Sequence, residues 1–367
     1  MPRVTVIDRL ENLTDLEETW CRLLAETRDG GFARSLGCFR AFAAHDPSVI
    51  GIRCLVVEHG GEPVGIVPLV LSRGRGNGRA VTLGWGPHGF GLAGGPVGRD
   101  QAASLMTAVR HLSTARRDWD ILELDEPPTA DGATSSRRAD VALRLTKMKF
   151  DTVERTPVAS LSTETRWVDV VGAAETETRL AFFRSLHYAE QGGHAAGLTF
   201  DHTRASAFSA IGSDLTEEAM GLVVAGRQRP LLTAIVDAAM ADGHDLDLAI
   251  LRRDGRPIAA HVGLKEGDTL RSLGGMADAA VDEADRLEFV RRLVEAARDR
   301  GDTSITWPWR PTHPCHGWEQ RLRPSIARRH YAPLNARAQM RRFADRAGHI
   351  FGGSNRSAAV PKLQVVG

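Results

Sequence analysis

Leu248-Ala-Ile-Leu-Arg-Arg-Asp-Gly-Arg-Pro-Ile-Ala-Ala-His-Val-Gly-Leu264 is the stretch on which the reading of this chain turns. An apolar run from Leu248 to Leu251 meets the polar Arg252-Arg-Asp-Gly-Arg256, and a second apolar run starts at Pro257 and Ile258. Asp-Gly between two β-prone runs signals a tight hairpin, because both central residues of such a turn need φ > 0. Pro257 falls at the start of the return strand, where its missing N–H costs least.

The same phrase occurs once before. In Leu55-Val-Val-Glu-His-Gly-Gly-Glu-Pro-Val-Gly-Ile-Val-Pro-Leu-Val70, Gly61, Pro63, Val64 and Gly65 match Gly255, Pro257, Ile258 and Ala259. Thr82-Leu83-Gly84 then corresponds to Ser272-Leu273-Gly274. A helical stretch, Gln101–Arg116 or Asp285–Arg300, leads in each half into an apolar strand, Asp120–Leu124 or Ser304–Pro308. Three matches in one order, at offsets drifting from about 194 to 184 residues, indicate one unit used twice.

The bulk properties fit that reading. A chain of 367 residues exceeds the usual single domain and accommodates two of about 150–180. The division expected is a first unit over 1–155, a second over 156–334 and a basic, flexible tail over 335–367. A net charge of +1 with 42% hydrophobic residues describes an ordinary globular protein rather than a disordered or fibrous one. No apolar run approaches the ~20 residues that span a bilayer. Met1–Asp8 reads as a strand rather than a signal peptide, so a cytoplasmic location is expected. Cys21, Cys38, Cys54 and Cys315 show no Cys-x-x-Cys pairing and indicate neither a zinc ribbon nor a disulfide framework. From Arg323 onward there are nine Lys/Arg and one acid, Asp345, a balance that suits an anionic partner: nucleic acid, a lipid surface or a phosphorylated ligand.

Leu10–Glu26 carries apolar residues at helical spacing, and Phe32–Ala44 is a second short helix ending before Pro47. A Gly-rich loop, Gly84–Gly98, precedes the helix at 101, and within it Gly94-Gly-Pro-Val-Gly-Arg99 has the composition of an anion-binding loop. In the second half Glu175–Glu190, Ser206–Ile211 and Pro230–Met240 read as helices, and Ala327–Leu334 as a last strand. There is no Walker A loop, no dinucleotide G-x-G-x-x-G after a strand and no G-x-S-x-G nucleophile turn. His313-Pro-Cys-His316 offers no fourth ligand nearby and is stiffened by Pro314, so no metal is expected.

The element order and its phrases resemble the tandem GNAT-fold acyltransferases of the cellulose-biosynthesis and FemABX-related type. Leu248–Ala259, Val64-Gly-Ile-Val-Pro-Leu69, Asp118-Trp-Asp-Ile-Leu-Glu-Leu124 and the helical Leu180–Gly193 before Leu198-Thr-Phe200 carry the likeness. It implies an α/β fold of mixed sheets in two fused GNAT-like domains. It also implies that acetyl-CoA or another acyl-CoA lies between two strands that splay apart, its pyrophosphate on the amides leading into the next helix. Carried onto this chain, the cofactor strand is Leu270–Met276, with Leu273, Gly274, Gly275 and Met276 as contacts. Its partner strand contains Trp307, and Arg286 stands near the diphosphate. Asp282-Glu-Ala-Asp-Arg286 replaces the Gly-rich turn usual there, and Trp307-Pro-Trp-Arg-Pro311 replaces a charged Gly-containing motif.

Amide formation needs a base for the ammonium proton, donors for the thioester carbonyl and a proton for the leaving thiolate. The candidates are His261 on the return strand, Asp278 and Glu283 after the cofactor strand, and Tyr331 as thiolate acid. Trp307, Trp309 and Trp318 could line a substrate groove. The function expected is N-acylation of an amine, on a small molecule or on a polysaccharide or envelope precursor. Two alternatives stand beside it: transfer from aminoacyl-tRNA, as FemABX-like members do, and a non-catalytic interaction module.

Overall fold

The computed structural model describes residues 2–28, 30–73, 80–86, 88–90, 92–115, 117–126, 141–146, 148–164, 180, 183, 198–206, 213–224, 228–277, 281, 283–308, 315 and 321–356. Twelve strands join in one mixed sheet. In chain order they are β1 (Arg3–Ile7), β2 (Val49–His59), β3 (Glu62–Arg73), β4 (Val81–Trp85), β5 (Ile121–Glu126), β6 (Asp151–Ser162), β7 (Leu198–Ala205), β8 (Leu246–Arg253), β9 (Arg256–Glu266), β10 (Thr269–Ala277), β11 (Ser304–Pro308) and β12 (Arg321–Tyr331). The helices used below are α1 (Glu17–Ala25), α2 (Leu36–His45), α3 (Gln101–Thr114), α4 (Ser213–Val223), α5 (Arg229–Ala241), α6 (Glu283–Asp299) and α7 (Ala336–Arg356).

Both hairpins form as the sequence dictates. Asp254 and Gly255 have φ of 51° and 78°, and Gly60 and Gly61 at the matching turn have 63° and 89°. Each turn therefore places two left-handed residues in succession, the twist that strand pairs prefer. The internal repeat is equally visible. β2, β3, β4, α3 and β5 recur as β8, β9, β10, α6 and β11, and in each copy the third and fourth of these strands run parallel.

The strand order across the sheet is β1-β2-β3-β4-β5-β12-β6-β11-β10-β9-β8-β7. The last strand of each half has thus crossed into the other: β12 pairs with β5, β6 pairs with β11, and the two exchanged strands pair with each other. The expected division at 155 falls inside β6, and the segment expected to close the second unit completes the first. Near this junction Arg323 lies opposite Val158 and Ser325 opposite Arg155, so β6 carries a bulge at Thr156-Pro157. A bulge reverses which residues face which side, and it is one of the few places in a sheet that tolerates proline.

Helices α3 and α6 cover one face, each over its own half, on Leu69, Leu83 and Leu122 or on Leu251, Leu270 and Ile305. The opposite face, called the front here, holds α1, α2, α4 and α5 in one core that spans both halves and includes Phe39, Phe42, Ile66, Ile235 and Ile250. Burial of each such side chain contributes about 1.5–3 kcal/mol, so this core ties the halves together. The helix Ser213–Val223 has no counterpart in the sequence reading.

The expected tail is a helix over 336–356. Asn335 caps it, its side-chain oxygen accepting from the amides of Arg337 (2.9 Å) and Ala338 (3.2 Å). Ala338 is buried against Ile121 and Tyr331. Arg342 donates to Asp151 (2.9 and 3.1 Å), and Asp345 accepts from Arg329 and from the Tyr331 hydroxyl, both at 2.7 Å. Residues 357–367 lie outside the described residues.

Candidate active site

Strands β10 and β11 run parallel but pair only from Thr269 to Arg271 against Ser304 to Thr306. Val262 then lies opposite Gly274 and Gly263 opposite Ser272, which makes Leu273 an extra residue on β10. This bulge bends β10 just past its last pair with β11 and opens a gap between two otherwise adjacent strands. Among the described residues no strand pairs with β10 on that side beyond Arg271. α6 begins six residues after β10 ends, and its N-terminal amides carry the partial positive charge of a helix start.

On the front face the gap is edged by hydroxyls. Ser304 lies opposite Thr269 and Ser162, and Thr306 opposite Arg271 and Ser160, so all share one side of the sheet. Thr269 and Ser304 share a hydrogen bond of 3.1 Å. Among the described residues the buried Thr306 hydroxyl has no hydrogen-bond partner, a polar group that a bound molecule could satisfy. No motif in the sequence marks these residues, because they come from three strands far apart in the chain. The only signal is alternation of hydroxyl and apolar residues in Ser304-Ile-Thr-Trp307 and in Ala159-Ser-Leu-Ser162.

The residues proposed from the sequence divide into two groups. Leu273, Gly274, Gly275, Met276 and Arg286 lie on β10 and the first turns of α6, around the gap. Leu273 is buried in the front core as the bulge residue, and Gly274 answers to packing: a Cβ there would lie 2.4 Å from a methyl of Val223 on α4. Close approach of the helix, rather than of a ligand, requires that glycine. Trp307 points the other way, buried beneath α6 with Leu270 and Ile305, and lines no groove. Of the three acids at the helix start, Asp285 is buried and bound by Arg253 from the hairpin, which offsets its charge locally. Asp278, Trp309, His313, His316, Trp318 and most of the expected helix 175–190 lie outside the described residues, as does the side chain of Glu283.

His261 and Tyr331 require correction. His261 is fully buried on the α6 side, its ring laid over Gly263 and its Nδ1 3.8 Å from Asp247. Burial drives its pKa down to about 4 against the pull of Asp247, so the ring is neutral at neutral pH and beyond reach of a substrate proton. Asp247, also fully buried, accepts from His202 (3.1 Å) and Arg204 (2.9 Å). Arg204 continues to Asp302 at 3.1 Å, closing a charged cluster under the end of α6. Tyr331 sits on β12 opposite Ile121 of the first half, two strands removed from β11. Its hydroxyl donates to Asp345, and burial with that carboxylate pushes its pKa up to about 12.

The loop Gly94–Arg99 is likewise occupied by the fold. Val97 exchanges backbone hydrogen bonds of 2.8 Å with Ile66 in both directions, the Gly98 amide donates to Thr27 (2.8 Å), and Asp100 caps α3 through the Ala103 amide (3.0 Å). In the first half β4 and β5 come together at Gly84, where a Cβ would meet the Glu123 carbonyl at 2.8 Å. Among the described residues no group of His, Cys, Asp and Glu could hold a metal ion.

Comparison with known proteins agrees with this geometry. The model of the acetyltransferase (GNAT) domain matches residues 184–308, a span that ends on β11 and contains the whole gap. This part of the chain is similar to a GNAT acetyltransferase domain, and the mixed sheet with its repeat is consistent with a tandem form of that fold. No curated protein matches the chain. Among solved structures, the C-terminal domain of an Agrobacterium fabrum protein named for lysylphosphatidylglycerol synthesis superposes with TM-score 0.50 at 11% identity, over 89% of this chain and 95% of that one. A tandem GNAT protein of the clavulanic acid pathway gives 0.49 at 11% identity over 91% and 100%, and FemX 0.49 at 10% over 86% and 96%. At such identities the likeness is one of fold.

Proposed function

We propose that this protein is an N-acyltransferase that takes its acyl group from acetyl-CoA or a related thioester held in the gap between β10 and β11. The observation that carries this reading is the coincidence of the matched domain with a parallel strand pair that opens at a bulge. The thioester supplies an activated acyl carbon. An amine nitrogen bonds to it, the carbon–sulfur bond breaks, the ammonium loses a proton and the thiolate gains one.

The chain's own groups would act around that exchange. Backbone amides in the later part of β10, from Gly274 on, would donate to an extended ligand and to the acyl oxygen. Arg286 and the α6 N-terminus favour phosphate oxygens. Asp278 and Glu283, which bracket the step from β10 to α6, are the proposed bases. The hydroxyls of Ser160, Thr306 and Ser304 with Arg271 favour a polar, hydroxyl-bearing acceptor, in keeping with a glycan or envelope precursor.

Calorimetric titration of the full chain with acetyl-CoA tests the reading. Micromolar binding that weakens at least about tenfold in Arg286→Glu supports it, since reversing one charge beside a diphosphate costs more than about 1.4 kcal/mol. Absence of binding by the intact chain overturns it and leaves aminoacyl-tRNA as the donor to examine.

A further inference from the structure

We propose that the outer side of α7, with Leu334 before it, docks this protein on an anionic lipid surface. Leu334, Met340 and Phe343 are 101, 66 and 76% exposed, two large apolar side chains on α7 and one just before it. The inner side of the helix is accounted for by Ala338 in its small core, Arg342 on Asp151, and Asp345 on Arg329 and Tyr331. At 3.6 residues per turn, Met340 and Phe343 fall on the side opposite Ala338 and Arg342. Arg337 and Arg341 flank them on one side and Arg346 on the other. The side chains of Arg341 and Arg346 are 46 and 62% exposed, and each also reaches a carboxylate of the inner side, Asp345 at 3.0 Å and Asp151 at 3.6 Å.

Asp345 is the only carboxylate of α7, and it is turned inward, so the outer side is apolar at its centre and cationic along both margins. A helix of this composition lies in the plane of a membrane surface, with apolar side chains at the acyl boundary and arginines at phosphate level. Beside Leu334 a cavity of about 410 Å³ is bounded by Ser113, Arg117, Trp119 and Asn335. The Arg117 guanidinium stands 5.2 Å from the Trp119 ring there, adding a cation on the same side as the helix start. Two copies of this face cannot cover each other, because their arginine margins would meet with no outward carboxylate between them. RNA would engage the arginines and leave Leu334, Met340 and Phe343 in water. No helix among the described residues is long and apolar enough to cross a membrane, so the attachment is peripheral.

The test is sedimentation of the full chain with vesicles of phosphatidylcholine alone and of phosphatidylcholine mixed with phosphatidylglycerol. The intact chain should pellet with the mixed vesicles only, and Met340→Glu/Phe343→Glu should lower the bound fraction roughly tenfold. Arg337→Glu should weaken binding and flatten its dependence on salt. Met340, Phe343 and Arg337 lie on the exposed side of the helix, so unchanged melting curves will show that the variants fold. Failure of the intact chain to pellet overturns the proposal, as does pelleting that Met340→Glu/Phe343→Glu leaves unchanged. A dimer, or a complex with RNA, that dissolves in the same double variant while vesicles go unbound overturns it as well.

Discussion

His261 shows how a residue with the right chemistry can be removed from it by burial. Its neutral ring is favoured inside the fold, with a pKa near 4 where a solvated histidine has about 6.5. In the unfolded chain it therefore binds a proton more readily, and the stability it contributes is intact above pH 6.5 and lost as the pH falls toward 4, up to about 3 kcal/mol. Asp247, with a carboxyl pKa held low by His202 and His261 despite its burial, adds its own loss only at still lower pH. Urea unfolding of the intact chain should lose stability from pH 6.5 to 4.5, and His261→Gln should show a shallower slope. A slope equal in both proteins would place the titration elsewhere. Gly274 allows a second prediction. Gly274→Ala sets a methyl against Val223 and should cost about 1–3 kcal/mol, part of which Val223→Ala restores; additive losses in the double variant would sink the assignment. Neither role could be read beforehand. Asp247 breaks the apolar run Leu246-Asp-Leu248, a hint of a buried charge, but its partners His202 and Arg204 lie tens of residues away.

Elements were legible to the degree that their own residues dictate them. The Asp254-Gly255 turn and the strands beside it follow from local chemistry, and so do α6 and the parallel strand after it. Helix α4 was missed because Thr216, Glu217, Glu218 and Gly221 dilute its apolar period, and packing on the sheet fixes it instead. The arginines of α7 and Gly352-Gly-Ser354 suggest a flexible tail. Its order comes from contacts that composition does not show: the Asn335 cap, the Asp345 bonds and Arg342 on Asp151. Asn335→Ala should therefore cost about 1 kcal/mol and lower the helical content seen by circular dichroism. Unchanged helical content and melting in this variant would mean that α7 is stabilised independently of its cap.

At the scale of the whole molecule, the repeat predicted two similar units but not that they trade their last strands. Nothing in β6 or β12 states a preference for one neighbour over its equivalent, since both offer the same kind of partner strand; the exchange is a property of the duplicated sheet. The shared front core and the central pair β6–β12 make separate unfolding of the halves unfavourable. Differential scanning calorimetry should give a single transition with matching calorimetric and van't Hoff enthalpies. Two resolved transitions would contradict that coupling. The exchange bears also on how the protein avoids clumping. Two separate sheets would each present two rows of unsatisfied amides and carbonyls, the template on which chains stick to one another. Joined through β12 and β6, they leave β1 and β7 at the rims among the described residues. β7 carries Asp201, His202 and Arg204, charges of the kind that keep such a rim from zipping onto a neighbour. The duplication thus conceals half of the surfaces through which its two parts would otherwise aggregate.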